Sequence, residues 1–519
     1  MTPAASSARA VSRLRRVLLQ RGWETLVVVG GFAVYGVYAL SRHAQYLTAG
    51  YDLGIFDQAV RAYSHFQAPI APLKGIGVSV LGDHFHPIIA LLAPLYWVWD
   101  DPRTLLLAQA ALFALSTIPV MRFAERRFSR AGAVAIGAAY LSSWPLQAAV
   151  NFDFHEIAFA VPLLAVLVDA LDRRATRTAV LTCLALLLVR EDMGVIVAMA
   201  GVLLVVRGRA TEAPSRGLAR LRDPRWIGAA LGVTGVVMFW LTTSVFIPAF
   251  APSGTFAYWD YSALGHDLPS AIRDGLTRPW SVAKLLVTPT VKAHTLFMLF
   301  MPALFTALAS PYLLLALPVL AERMLNSRSQ VWLVQFQYSA VTAPILAMAA
   351  VDGIGRVAAL VDRRRRQGPG ETAVRSGPRW LVRSWIAWLI GTVVIGTAMY
   401  PATFPLNRLI TGAAFERTSR PRQIADVLTH LPLGVCVEAD DRIAPHLTKR
   451  WLVTLPTRSD GLATWEVIDL NQVTSGWQAP APAIAFADAE ALGFRQVLRE
   501  GPIILMTRDG AVDPRCTVR

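Results

Sequence analysis

The 519-residue chain is 54% hydrophobic and only 16% charged, with a mean hydropathy of +0.45. Its formal net charge of +15 would suit nucleic acid, but the arginine clusters fall between apolar runs, where the positive-inside rule expects them. Three cysteines are too few for a disulfide framework, and none forms a Cys-x-x-Cys metal pair. Nucleic-acid binding is therefore set aside. Repeated apolar runs of about 15–20 residues predict a polytopic α-helical membrane protein.

Residues 1–24 are polar and carry Arg9, Arg13, Arg15, Arg16 and Arg21, which places this tail in the cytoplasm. A first span over 25–41 then runs outward; it lacks a small-residue cleavage site and reads as a retained anchor. Residues 42–103 form a first outer loop. Within it, the apolar run 86–99 is short for a span, and a crossing here would put Arg122, Arg126, Arg127 and Arg130 outside. It is expected to lie at the outer interface, with Tyr96, Trp97 and Trp99 at headgroup depth. Further spans are expected over 104–121, 131–150, 156–171, 177–190, 193–206, 226–248, 293–309, 311–324, 338–354 and 380–400. That makes about eleven in all, within a membrane domain over 25–400. The Arg-rich segment 207–225 falls inside, and the loop 249–292, rich in Pro, Gly and aromatics, falls outside.

Beyond Pro401 the composition becomes that of a soluble domain. A helical pattern over 420–431 and strand-like runs at 435–438, 451–455, 467–470 and 503–506 predict a small extracytoplasmic α/β domain over 401–519. Cys436 and Cys516 can pair in that oxidising compartment or stay as two free thiols, because sequence alone does not set their distance.

The chemistry-bearing residues cluster at the outer helix ends. Asp52 and Asp57 follow the first span, and either can act as a base, cap a helix or sit in an ion pair. Asp83, His84 and His86 offer oxygen and imidazole ligands that suit a divalent metal cation, although hydrogen bonding to substrate accounts for them equally well. Asp153, His155 and Glu156 lie at the next outer turn, then Arg190, Glu191 and Asp192, then Arg323, Arg328, Gln337 and Tyr338. Arg190, Arg323 and Arg328 suit a phosphate by their guanidinium shape, or snorkel to lipid headgroups. Charged groups this close to the apolar region are costly and mark a cavity.

These segments together carry a family resemblance. Tyr51-Asp52-Leu53-Gly54-Ile55-Phe56-Asp57-Gln58, His84-Phe85-His86-Pro87, Asp153-Phe154-His155-Glu156, Arg190-Glu191-Asp192-Met193-Gly194, Gln337-Tyr338 and Ala444-Pro445-His446-Leu447 resemble the bacterial and archaeal membrane family known as domain of unknown function 2079. That family is similar to the GT-C glycosyltransferases, which transfer a sugar from a polyprenyl-phosphate carrier to an extracytoplasmic glycan or protein acceptor. The resemblance implies a GT-C-like fold in the cell (plasma) membrane, an acidic base in the first outer loop, and metal use that varies across such enzymes. It makes Asp52 or Asp57 the catalytic candidate, Asp52 being the first to follow the span. Gln58, Asp153, His155, Glu156, Arg190, Glu191, Asp192, Arg323, Arg328, Gln337 and Tyr338 become candidate substrate-binding residues. A transporter or flippase of lipid-linked sugars is the rival reading, and a non-catalytic glycan-binding protein a third. A transporter would carry its charges within spans, whereas here they gather at one set of helix ends.

Overall fold

The computed structural model describes residues 3–209, 223–265, 268–366, 379–416, 418–472 and 481–516. The expected loop 207–225 lies mostly outside them. Among the described residues six helices are long and apolar enough to cross a membrane: Arg21–Ala44, Arg103–Glu125, Arg130–Asn151, Pro224–Phe250, Thr342–Arg364 and Arg379–Met399. Arg103–Glu125, Arg130–Asn151 and Thr342–Arg364 form the centre, with 67%, 72% and 61% of their apolar windows buried, while Arg379–Met399 has only 11% buried. Its outward residues Trp388, Val394 and Ile395 are exposed apolar surface, as lipid contact requires.

The remaining expected spans are shorter or broken. Thr176–Leu186 and Met193–Gly208 are apolar but short, and Pro279–Leu285 meets Thr290–Ala303 at 75°. Residues 301–315 are a chain of 3₁₀ turns containing Pro302 and Pro311. Proline removes a backbone donor and clashes with the preceding turn, so a continuous helix cannot form there. The run 86–99 is likewise two short pieces, Pro87–Leu92 and Ala93–Tyr96. Trp97 is exposed, whereas Tyr96 is buried and its hydroxyl donates to Asp57 at 2.7 Å.

Met193–Arg209 and Pro224–Leu241 pack through glycine. A Cβ on Gly201 would sit 2.4 Å from the Gly228 carbonyl oxygen, so the two backbones touch directly.

The C-terminal domain is a five-stranded sheet in the order β2-β1-β3-β5-β4, with β1 Cys436–Ala439, β2 Leu452–Thr454, β3 Trp465–Asp469, β4 Arg495–Glu500 and β5 Ile503–Thr507. β1 pairs in parallel with β2 and β3, while β5 runs antiparallel to β3 and β4. β4 escaped the sequence reading because it is a polar edge strand, Arg-Gln-Val-Leu-Arg-Glu, with almost no buried face. Cys436 is bonded to Cys516, their Cα atoms 5.0 Å apart. The N–H of Gly50 donates to the Asp441 carbonyl at 2.6 Å, so this domain sits on the same side as the first loop.

Candidate functional site

The first loop turns at Gly50–Gly54 and runs on as the helix Ile55–Ser64. Residues five apart on a helix point about 140° from one another, so Asp52 and Asp57 enter different surroundings. Asp52 lines a cleft of about 680 Å³ between the first loop, the ends of the membrane helices on that side and the loop 251–265. Asp57 is fully buried away from that cleft. There it receives Arg61 through both terminal nitrogens, at 2.6 and 3.1 Å, as well as the Tyr96 hydroxyl. Gln58 is also outside the cleft. Its amide donates to the Val453 carbonyl and accepts from the Leu73 N–H, each at 3.0 Å, tying the loop to the C-terminal domain.

Several of the candidate residues do converge on the cleft wall: Asp83, His84, His86 and His155, then Arg190, Glu191 and Asp192, then Arg323, Arg328, Gln337 and Tyr338. Most of its charges are already paired. His84 Nδ1 meets Glu191 at 2.7 Å, and Arg190 holds Asp192 at 2.8 and 2.5 Å. Arg328 holds Asp260 at 2.6 Å and stands 4.6 Å over the Tyr258 ring. Burial alone would drive the His84 imidazole to its neutral form, but the Glu191 carboxylate raises its pKa to about 9. Burial would likewise raise Asp83, yet Lys74, His84 and the Tyr258 hydroxyl bring it down to about 2.

Asp83, His84 and His86 spend their polar atoms separately. Asp83 takes Lys74 and Tyr258, His84 takes Glu191, and His86 Nδ1 has no hydrogen-bond partner among the described residues. Among the described residues no three His, Cys, Asp or Glu side chains are arranged to hold a metal ion. The three side chains thus make separate contacts rather than meeting at one point.

Two charged groups on the cleft wall stand apart. Asp52 has no cation within ion-pair distance among the described residues. Burial raises its pKa well above that of an ordinary carboxylate, and Asp441, Asp153 and Glu156 add to the effect. Arg323 is 6% exposed and donates to the carbonyls of Val331 and Leu333 and to the Ser339 hydroxyl, but to no carboxylate among the described residues. A buried guanidinium held by neutral acceptors keeps its full charge for an anion. Tyr338 lies near both groups, with the Arg323 guanidinium 5.9 Å from its ring and Asp52 acting on its hydroxyl. Gln337 Oε1 is buried on the same wall with no hydrogen-bond partner among the described residues.

Asp153 and Glu156 lie behind the wall. Asp153 accepts from Arg42 at 3.2 Å and from the Ala49 N–H at 2.8 Å, and Glu156 sits between His155 and Arg190. Lys74, Tyr258, Asp260 and Tyr261 also line the cleft and were not singled out in the sequence. The aromatic richness of 249–292 was the one signal that could have found the last three.

A cleft built on a membrane helical bundle, with a sheet domain set over the first loop, is a fold that a solved structure shares. ArnT from Cupriavidus metallidurans, solved bound to undecaprenyl phosphate, superposes with a TM-score of 0.52 at 15% identity, over 93% of this chain and 98% of that one. AglB, the oligosaccharyltransferase of Archaeoglobus fulgidus, solved with an inhibitory peptide and a dolichol-phosphate, gives 0.39 at 11% identity over 94% and 74%, too distant to argue from. No curated protein matches the chain in sequence. The family described as "Predicted membrane protein (DUF2079)" matches residues 42–480, and the chain belongs to it.

Proposed function

We propose that the protein transfers a sugar from a polyprenyl-phosphate carrier to an extracytoplasmic acceptor, with Asp52 as general base. The observation that carries this reading is the cleft that holds the Asp52 carboxylate and the buried Arg323 guanidinium, neither in an ion pair among the described residues, with Tyr338 near both. Asp52 takes the proton of an acceptor hydroxyl as that oxygen bonds to the anomeric carbon. The bond from that carbon to the carrier phosphate breaks, and the released phosphate rests on Arg323. A carboxylate whose pKa burial has raised is a stronger base near neutral pH than a solvated one. The likeness in fold to a protein crystallised with undecaprenyl phosphate supports the donor class.

The topology that serves this chemistry is about eleven crossings in the plasma membrane, with the shorter apolar helices spanning in pieces. The N-terminal tail is then cytoplasmic, while the first loop and the C-terminal domain are extracytoplasmic. The test uses the full-length protein in nanodiscs with polyprenyl-phosphate-linked sugars and a cell-envelope acceptor extract. Transfer by the wild type, lost in Asp52→Asn at equal folding, supports the assignment. Unchanged transfer by Asp52→Asn sinks it.

A further inference from the structure

The parallel part of the C-terminal sheet does not end in open solvent. In open α/β sheets the carboxyl ends of the strands form the usual ligand crevice. Here Asp440 and Asp441 follow β1, Asp469 closes β3, and the segment Tyr46–Tyr51 of the first loop is held at that edge. The N–H of Gly50 donates to the Asp441 carbonyl at 2.6 Å and that of Tyr51 to Asp441 Oδ1 at 2.7 Å. From the membrane domain, Asp153 Oδ2 takes the N–H of Ala49 at 2.8 Å. Arg420 donates to the Tyr46 carbonyl at 3.1 Å and Arg442 to that of Leu47. His446 stacks on His43 and Tyr46, at centroid distances of 4.0 and 3.8 Å. A Cβ on Gly50 would lie 2.9 Å from that of Ala444, so only glycine permits this approach.

Three consecutive N–H groups, those of residues 49 to 51, are thus gripped by two buried aspartates immediately before Asp52. We infer that Asp441 is a positioning residue through which the C-terminal domain sets both the place of the Asp52 carboxylate in the cleft and the charge it faces. This rests on the reading of Asp52 as the base. Burial disfavours the Asp52 anion, and Asp441, Asp153 and Glu156 disfavour it further, while Lys74 opposes them and Tyr338 faces it from across the cleft. Asp441 itself is faced by Arg442, Asp153 and Asp440. The outer domain is on this account part of the reacting site rather than an appendage.

Two variants separate the two effects. Asp441→Asn keeps the Oδ1 acceptor for the Tyr51 N–H and removes the charge, whereas Asp441→Ala removes both. The Asp52 carboxyl is titrated by infrared difference between each protein and its Asp52→Asn counterpart, using the full chain in nanodiscs. In Asp441→Asn the Asp52 midpoint moves to lower pH, and the acid limb of the transfer rate moves with it. Asp441→Ala loses most transfer. An Asp52 midpoint that stays in place in Asp441→Asn overturns the inference. The infrared measurement needs no substrate. Absent sugar transfer in the wild type would therefore sink the proposed function, while the titration still decides this inference.

Discussion

The two terminal nitrogens of Arg61 hold the two oxygens of Asp57, at 2.6 and 3.1 Å, inside the protein. A carboxylate so engaged, and also taking the Tyr96 hydroxyl, has no lone pair facing the cleft. Asp57→Asn is therefore expected to act on stability. Breaking a buried pair costs about 3–5 kcal/mol, and the Asp100 contact at 2.7 Å offsets part of that. Thermal unfolding in detergent should show a clear fall for Asp57→Asn and little change for Asp52→Asn, with the reverse order in transfer rate. Equal loss of transfer in both variants at wild-type stability would contradict the division of roles.

Arg323 is expected to act on donor binding. Its guanidinium is desolvated and held by neutral acceptors, so a phosphate meets a charge that needs no rearrangement. A hydrogen bond to a charged group contributes about 1.5–3 kcal/mol, so Arg323→Ala should weaken carrier binding by about 10- to 100-fold. Arg323→Lys keeps the charge without the fork and should fall between the two. Binding of labelled polyprenyl phosphate in nanodiscs measures this directly. Affinity unchanged in Arg323→Ala would move the phosphate elsewhere in the cleft.

The bundle, the sheet domain and the gathering of polar turns on one side were legible because each follows from composition or period: apolar runs, arginine placement, short β-rich runs. The choice between Asp52 and Asp57 was not, since both sit in one motif and only the third dimension brings Arg61 and Tyr96 onto the second. Gln58 and Asp153 also carry a contact with the first loop, beside any part they take in binding. Their polar side chains satisfy backbone groups of the loop, a demand that buried turns make but that sequence does not display. Tyr258 was missed because it meets Asp83 only through long-range folding, and Lys74 because the turns between them bring it back onto Asp83.

The His84–Glu191 pair gives a pH-dependent contribution whose sign can be worked out. Burial lowers the imidazole pKa, Glu191 with help from Asp83 and Glu156 more than reverses this, and the folded value of about 9 lies above the free value of about 6.5. The stabilisation is therefore complete below about pH 6.5 and is lost as the pH climbs through about 9. Melting temperatures of wild type and His84→Gln should differ most near about pH 6 and converge above about pH 9. A gap that widens with rising pH would mean that the pair is neutral in the folded protein.

The Cys436–Cys516 bond closes a segment with a sequence separation of 80, joining the first residue of β1 to the chain beyond β5. In the chain-entropy account, a loop of that length stabilises the domain by about 4–5 kcal/mol. Since β1 leads directly into Asp440 and Asp441, loosening it should also loosen the grip on the first loop. Cys436→Ser is expected to lower the denaturation midpoint of the C-terminal domain and to expose Tyr46–Tyr51 to faster amide exchange. Hydrogen exchange on the full chain in nanodiscs reads both effects at once. Protection of Tyr46–Tyr51 that persists while the sheet domain loses its own would show that the membrane domain alone, through Asp153 and Arg42, holds the loop in place.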